Sequence, residues 1–126
     1  MKKILLLTLL FPTFCFTQTM GLDWAFQIGD IENDEGVSIA IDEVGDVVSI
    51  GNYSENPDFD PGSLTLSLTI PPIPGTEYVY VQKVNSQGAL LWAVSIDNME
   101  SAGLNARSVD VDDSKNIYVV GEFDGT

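Results

Sequence analysis

The chain has 126 residues, 44% of them hydrophobic, with five cations against nineteen acids, a net charge of −14, one cysteine and no histidine. Such a length holds at most one modest domain, and the Val, Ile and Leu content is that of a folded chain rather than an acidic disordered tail. The charge leaves no basic patch for nucleic acid or an anionic membrane surface, and without histidine a Ser-His-Asp triad is excluded within this chain.

The chain opens with Lys2 and Lys3, an apolar run from Ile4 to Phe16 broken by Thr8, Pro12 and Thr13, and then polar Thr17 and Gln18. This is the layout of a secretory signal peptide, too short and too broken to span a bilayer. Residues 1–18 are assigned to it, with cleavage between Cys15 and Met20; the bulky Phe14 before Cys15 argues against lipidation. Removing it leaves Lys83, Arg107 and Lys115 as the cations and no cysteine. Disulfides, thiol catalysis and Cys/His zinc or copper sites are then excluded, and an exported location, secreted or on the cell surface, is expected.

Residues 19–126 read as strands and turns. Asp23–Ile28 is similar to Leu91–Ile96, a shift of 68, and is expected to form a strand. Val37–Ile41 places Ile39 and Ile41 on one face, leads into the polar turn 42–46, and is followed by Val47–Ile50, with Gly51 as the expected strand end. An insert, 54–76, carries the acidic turn Asn56-Pro-Asp-Phe-Asp-Pro-Gly62, then Leu64–Ile70, whose strict alternation predicts a half-exposed strand. Tyr78–Val84, the loop Asn85–Gly88 and Ala89–Ile96 form a second hairpin. Ser108–Val111, the turn Asp112–Asn116 and Ile117–Val120 form a third, with Gly121 ending it.

Ser38–Asn56 lies over Ser108–Thr126 without a gap at a shift of 70, matching Ser38 to Ser108, Asp42 to Asp112 and Gly51 to Gly121. One unit is thus two consecutive hairpins, 37–97 with the insert 54–76, followed by a half repeat, 107–126. Both faces of each unit are apolar, which a lone four-stranded sheet cannot bury and stacked sheets can. The expected fold is all-β: four-stranded antiparallel blade repeats of a β-propeller, incomplete at about one and a half blades against the roughly 4–8 of a closed ring. The chain is therefore expected to be a fragment of a longer protein that supplies the remaining blades.

The runs Ser38-Ile-Ala-Ile-Asp42, Gly45–Gly51, Asp58-Phe-Asp-Pro-Gly62, Tyr78–Lys83 and Gly88-Ala-Leu-Leu-Trp92-Ala93 resemble the bacterial SBBP-type beta-propeller repeats. The resemblance implies a propeller, secretion or surface display by a Bacteroidetes-like bacterium, and no particular reaction. A weaker likeness to quinoprotein blades comes without a cofactor-binding constellation.

Asp110, Asp112, Asp113 and Asn116 gather oxygen donors in one short turn, the donor type that Ca²⁺ takes, although the central Gly and distal Glu of an EF-hand loop are missing. The alternative is that they cap their own backbone. Asp58 and Asp60 allow the same two readings. Trp24 and Trp92 could stack on sugars or pack between blades, and nineteen acids make carboxylate pairs uninformative about glycoside hydrolysis. The expected function is a non-catalytic extracellular scaffold or binding module for a protein or glycan, without cofactor except Ca²⁺. The alternative is part of a secreted propeller enzyme, glycan-active or quinone-dependent, with its active residues elsewhere.

Overall fold

A computed structural model describes residues 20–68, 76–96 and 103–123. The signal segment, the end of the alternating run at Thr69 and Ile70, and the last residues of the half repeat lie outside them. Six strands form: β1 (Glu35–Ile41), β2 (Val47–Tyr53), β3 (Tyr78–Val84), β4 (Leu90–Ile96), β5 (Leu104–Val111) and β6 (Ile117–Phe123). The first four make an antiparallel sheet in sequence order, and β5 pairs with β6 in a separate two-stranded sheet. The domain is all-β, as its β-branched and aromatic runs dictate.

The first and third hairpins are built alike. β1 pairs with β2 from Glu35↔Asn52 to Ile41↔Val47, with a bulge between Gly36 and Ser38. Adding 70 to every residue number in that register gives the pairing of β5 with β6 from Asn105↔Glu122 to Val111↔Ile117, bulge included, now between Ala106 and Ser108. Gly51 and Gly121 lie inside their strands rather than ending them. A Cβ on Gly51 would run into the Glu35 carbonyl and the Tyr80 ring, and one on Gly121 would lie 2.6 Å from the Asn105 carbonyl oxygen. Only glycine permits this backbone approach beside the bulge.

Strand alternation gives the first sheet two apolar faces. On one, Val48, Ile50, Val79 and Val81 are buried against Leu104, Ala106 and Val109 of the second sheet, with Trp92, Val111, Ile117 and Val119 packed around them. On the other, Tyr53, Tyr78 and Tyr80 receive Phe59 from the insert, with Ile28, Leu66 and Leu68 alongside. Phe59 meets Tyr53 edge-on, ring centres 5.4 Å apart and planes at 85°, and lies 5.2 Å from Tyr80. The insert therefore covers one face of the sheet from which it emerges.

Among the described residues two predicted strands do not form. Leu64–Leu68 has no ladder, because the backbone of Leu66 is otherwise engaged: its N–H donates to Asp58 Oδ1 (3.0 Å) and its carbonyl accepts from Phe59 N–H (2.9 Å). Asp23–Ile28 forms no strand. Its neighbour Gly29 makes one isolated antiparallel bridge to Asp58. Trp24 stacks on Phe26 at 5.3 Å and donates its Nε1–H to the Ser86 carbonyl (3.1 Å), so it sits on a hairpin loop rather than between sheets.

Candidate functional site

The three hairpin loops share one hydrogen-bond plan. In 42–46, the Asp42 N–H donates to the Asp46 carbonyl (3.0 Å) and Gly45 N–H to the Asp42 carbonyl (2.9 Å). The Asp42 Oδ1 accepts from the N–H groups of Val44 and Asp46, both at 3.0 Å. Asn85 does the same for Gln87 (3.0 Å) and Ala89 (2.9 Å), and Asp112 for Ser114 (2.9 Å) and Asn116 (2.8 Å). The fourth residue of each loop has positive φ: Gly45 (86°), Gly88 (80°) and Lys115 (65°). A short side chain with an acceptor oxygen first and a left-handed residue fourth is what this turn demands, since the oxygen replaces carbonyls the reversing chain cannot supply.

Because Val47 pairs with Val84, loops 42–46 and 85–89 lie side by side at one end of the first sheet. Lys83 closes them. Its Nζ lies 2.9 Å from Asp42 Oδ2 and 3.3 Å from Asp46 Oδ2, with the Asp42 carboxylate almost wholly covered. The Lys83 hydrogen bond, helped by the amides of Asp46 and Val44, holds the Asp42 carboxyl below its ordinary range against the opposing effect of burial. The same bond to Asp42 raises the Lys83 ammonium above its ordinary value. In the sequence Lys83 stands only as a residue of the strand 78–84. Its pairing follows from the β2–β3 register, which sets Lys83 opposite Val48 across the insert.

Of the four residues expected to offer calcium oxygens, Asp112 is the most engaged. Besides two amides on Oδ1, its Oδ2 accepts from Asn116 Nδ2 (2.8 Å) and the Tyr118 hydroxyl (3.0 Å). The Asn116 side chain, ahead of its amide and the Tyr118 hydroxyl, keeps the Asp112 carboxyl low. Asp110 Oδ1 accepts from the Val111 N–H (2.9 Å) out in β5, while Asp113 is exposed on the loop. The turn-capping reading accounts for the bonds of Asp112 and Asn116. Among the described residues no group of three or more His, Cys, Asp or Glu is placed to hold a metal ion.

Asp58 and Asp60 make two overlapping turns of the same chemistry. Asp58 Oδ1 accepts from the amides of Asp60 and Leu66 (both 3.0 Å), and Asp60 Oδ1 from Gly62 N–H (2.7 Å). The Asp60 amide, then that of Leu66, lowers the Asp58 carboxyl. The result is to present Phe59 to the tyrosines, and its carbonyl accepts a 2.6 Å bond from buried Gln82 Nε2. Trp92 packs partly buried against the inter-sheet core, as expected of a packing residue.

Between the sheets lies a cleft of about 190 Å³ lined by Val79, Ile96, Leu104, Ala106 and Val119, with Asn105 and Glu122 as its polar edge. It falls below the 300 Å³ or so of common small-molecule sites, and Glu122 is the one acidic residue among its described lining. No described helix is long and apolar enough to cross a membrane. Compared with protein-family models, with curated proteins and with solved structures, the chain finds no match in any of the three.

Proposed function

We propose that the chain is a stacked-sheet repeat segment of the β-propeller kind, of the sort its resemblance to SBBP-type repeats implies, working outside the cell as a non-catalytic scaffold or binding module for a protein or glycan. The observation that carries this is the coincidence of the β1–β2 and β5–β6 registers at a shift of 70, bulge and loop plan included, with one sheet seated on the face of the other. Two hairpins of unrelated origin have no reason to share a bulge position and a close-approach glycine. The polar residues around the loops are spent on the backbone and on Lys83, which suits a rigid display surface better than acid–base work. The layout of residues 1–18 supports export.

The test is to display the exported protein to a glycan array and to surface proteins of its host, and to assay any retained glycan for consumption. Saturable retention without product is the expected result. Steady turnover of a retained glycan would move the chain to the enzyme reading.

A further inference from the structure

The contact between the two sheets has a direction. The first sheet contributes Val48 and Ile50 of β2 with Val79 and Val81 of β3, and the second contributes Val109 and Val111 of β5. Seventy positions before Val109 and Val111 stand Ile39 and Ile41, on β1, 65% and 63% exposed. Seventy positions after Val48 and Ile50 stand Tyr118 and Val120, on β6, 56% and 62% exposed, although Val48 and Ile50 are fully buried. The β2 and β5 parts of the internal contact thus each have a counterpart on the opposite side of the molecule, and both counterparts face solvent.

The hairpin backbone that makes most of the contact is also present twice, while the smaller share of β3 is not. Within the chain, β1 and β2 lie against β5. The counterparts are β5 and β6 of one molecule against β1 of another. The insert does not obstruct, since it covers the tyrosine end of the face and leaves Ile39 and Ile41 open. A polar detail repeats as well. Ser38 Oγ accepts from the Val109 N–H (3.4 Å), and the counterparts of these two residues, Ser108 and Ile39, are both exposed. One detail differs. Asn52 Oδ1 accepts the Ala106 N–H at 2.8 Å inside the chain, whereas the counterpart of Asn52 is Glu122, which is paired with Arg107 at 2.7 Å.

We infer that the chain associates with a second copy of itself head to tail, the Tyr118–Val120 face of one molecule on the Ile39–Ile41 face of the next, repeating between molecules the contact it makes within. The two faces differ, so the interface is heterologous and does not saturate at a dimer: it extends as a stack or closes as a ring. The inference rests on the packing of the two sheets and does not depend on the protein or glycan bound.

Sedimentation equilibrium of the full chain tests it. The weight-average mass should climb with concentration past that of a dimer. Ile39→Asp removes one face and Val120→Asp the other; both side chains are exposed, so circular dichroism should be unchanged. Each variant alone should be monomeric. An equimolar mixture should form a 1:1 dimer, the intact Ile39 face of the Val120 variant meeting the intact Tyr118–Val120 face of the Ile39 variant. Glu122→Asn, which installs the side chain used in the internal contact, should tighten association several-fold. A wild-type monomer at every concentration, single variants that associate like wild type, or a mixture that stays monomeric would each overturn the inference. None of these outcomes bears on retention by the array.

Discussion

Lys115 holds φ at 65° at the loop position where the two sibling loops use Gly45 and Gly88. A left-handed conformation costs a non-glycine residue roughly 1–2 kcal/mol, and the extra unfolded-state freedom of glycine offsets about 0.5–1 of that. Lys115→Gly should therefore stabilise the protein by about 0.5–1 kcal/mol, read as a higher urea midpoint with unchanged slope. The carboxylates that begin the loops make a second prediction. Asp42 and Asp112 titrate below their ordinary 3.8, so their contribution is complete above that pH and is lost as pH falls through the lower folded value. Lys83 titrates above its ordinary 10.5, so its contribution is complete below 10.5 and is lost as pH rises through the higher folded value. Melting temperature should fall below pH 3.8 in the wild type and less steeply in Asp42→Asn. Asp112→Ala should lower the melting temperature in calcium-free buffer, as loss of a turn cap requires. A decrease seen only with Ca²⁺ present would make Asp112 a metal ligand.

Hairpins are where the sequence was most legible. Ile39 and Ile41 on one face, an Asx residue opening each loop and Gly45 or Gly88 in the fourth place are local signals, and the strands formed where those signals stood. Leu64–Leu68 misled because alternation records only which side chains are apolar. It does not say whether the backbone has a strand to pair with, and here Asp58 and Phe59 take the Leu66 amide and carbonyl. Gly51 misled for a related reason: its meaning lies in the Glu35 carbonyl and Tyr80 ring beside it, which are distant in sequence. The Asp-Phe-Asp-Pro-Gly segment was visible as an acidic turn, but its purpose, delivery of Phe59, was not. Phe59 is fully buried among Tyr53 and Tyr80, so Phe59→Ala should destabilise by about 3–5 kcal/mol in urea unfolding. A loss below about 1 kcal/mol would mean that the insert is an ornament on the sheet and not part of its core.

At the scale of the whole molecule, apolar residues on both faces of the first sheet call for cover on both, and the second sheet lies on one of them. Which residues would cover the remaining face could not be read. The insert does so over the tyrosines, and nothing described does so over Ile39 and Ile41. Trp24, expected between sheets by its likeness to Trp92, instead braces the 85–89 loop, where it meets Ser86 and Gly88 at the sheet end. In the sequence Asp110, Asp112, Asp113 and Asn116 offer oxygen donors at short spacing. Geometry adds that Asp112 has already committed both of its oxygens.

The repeated loop plan also sets an order of events when the chain folds. Each of the three loops joins adjacent strands over five residues and carries its own internal bonds, so each hairpin closes locally. Isolated hairpins form in about 1–10 μs. β2 reaches β3 only after residues 54–77 have been gathered in, and every doubling of a loop adds about 0.6 kcal/mol of closure entropy. The β2–β3 ladder and the docking of the second sheet should come later than the turns. β2 carries both clocks, since its amides alternate between bonding to β1 and bonding to β3. Pulse-labelled hydrogen exchange during refolding should protect the amides facing β1 first and those facing β3 afterwards. Simultaneous protection of the two sets along the one strand would show that the sheet condenses as a whole.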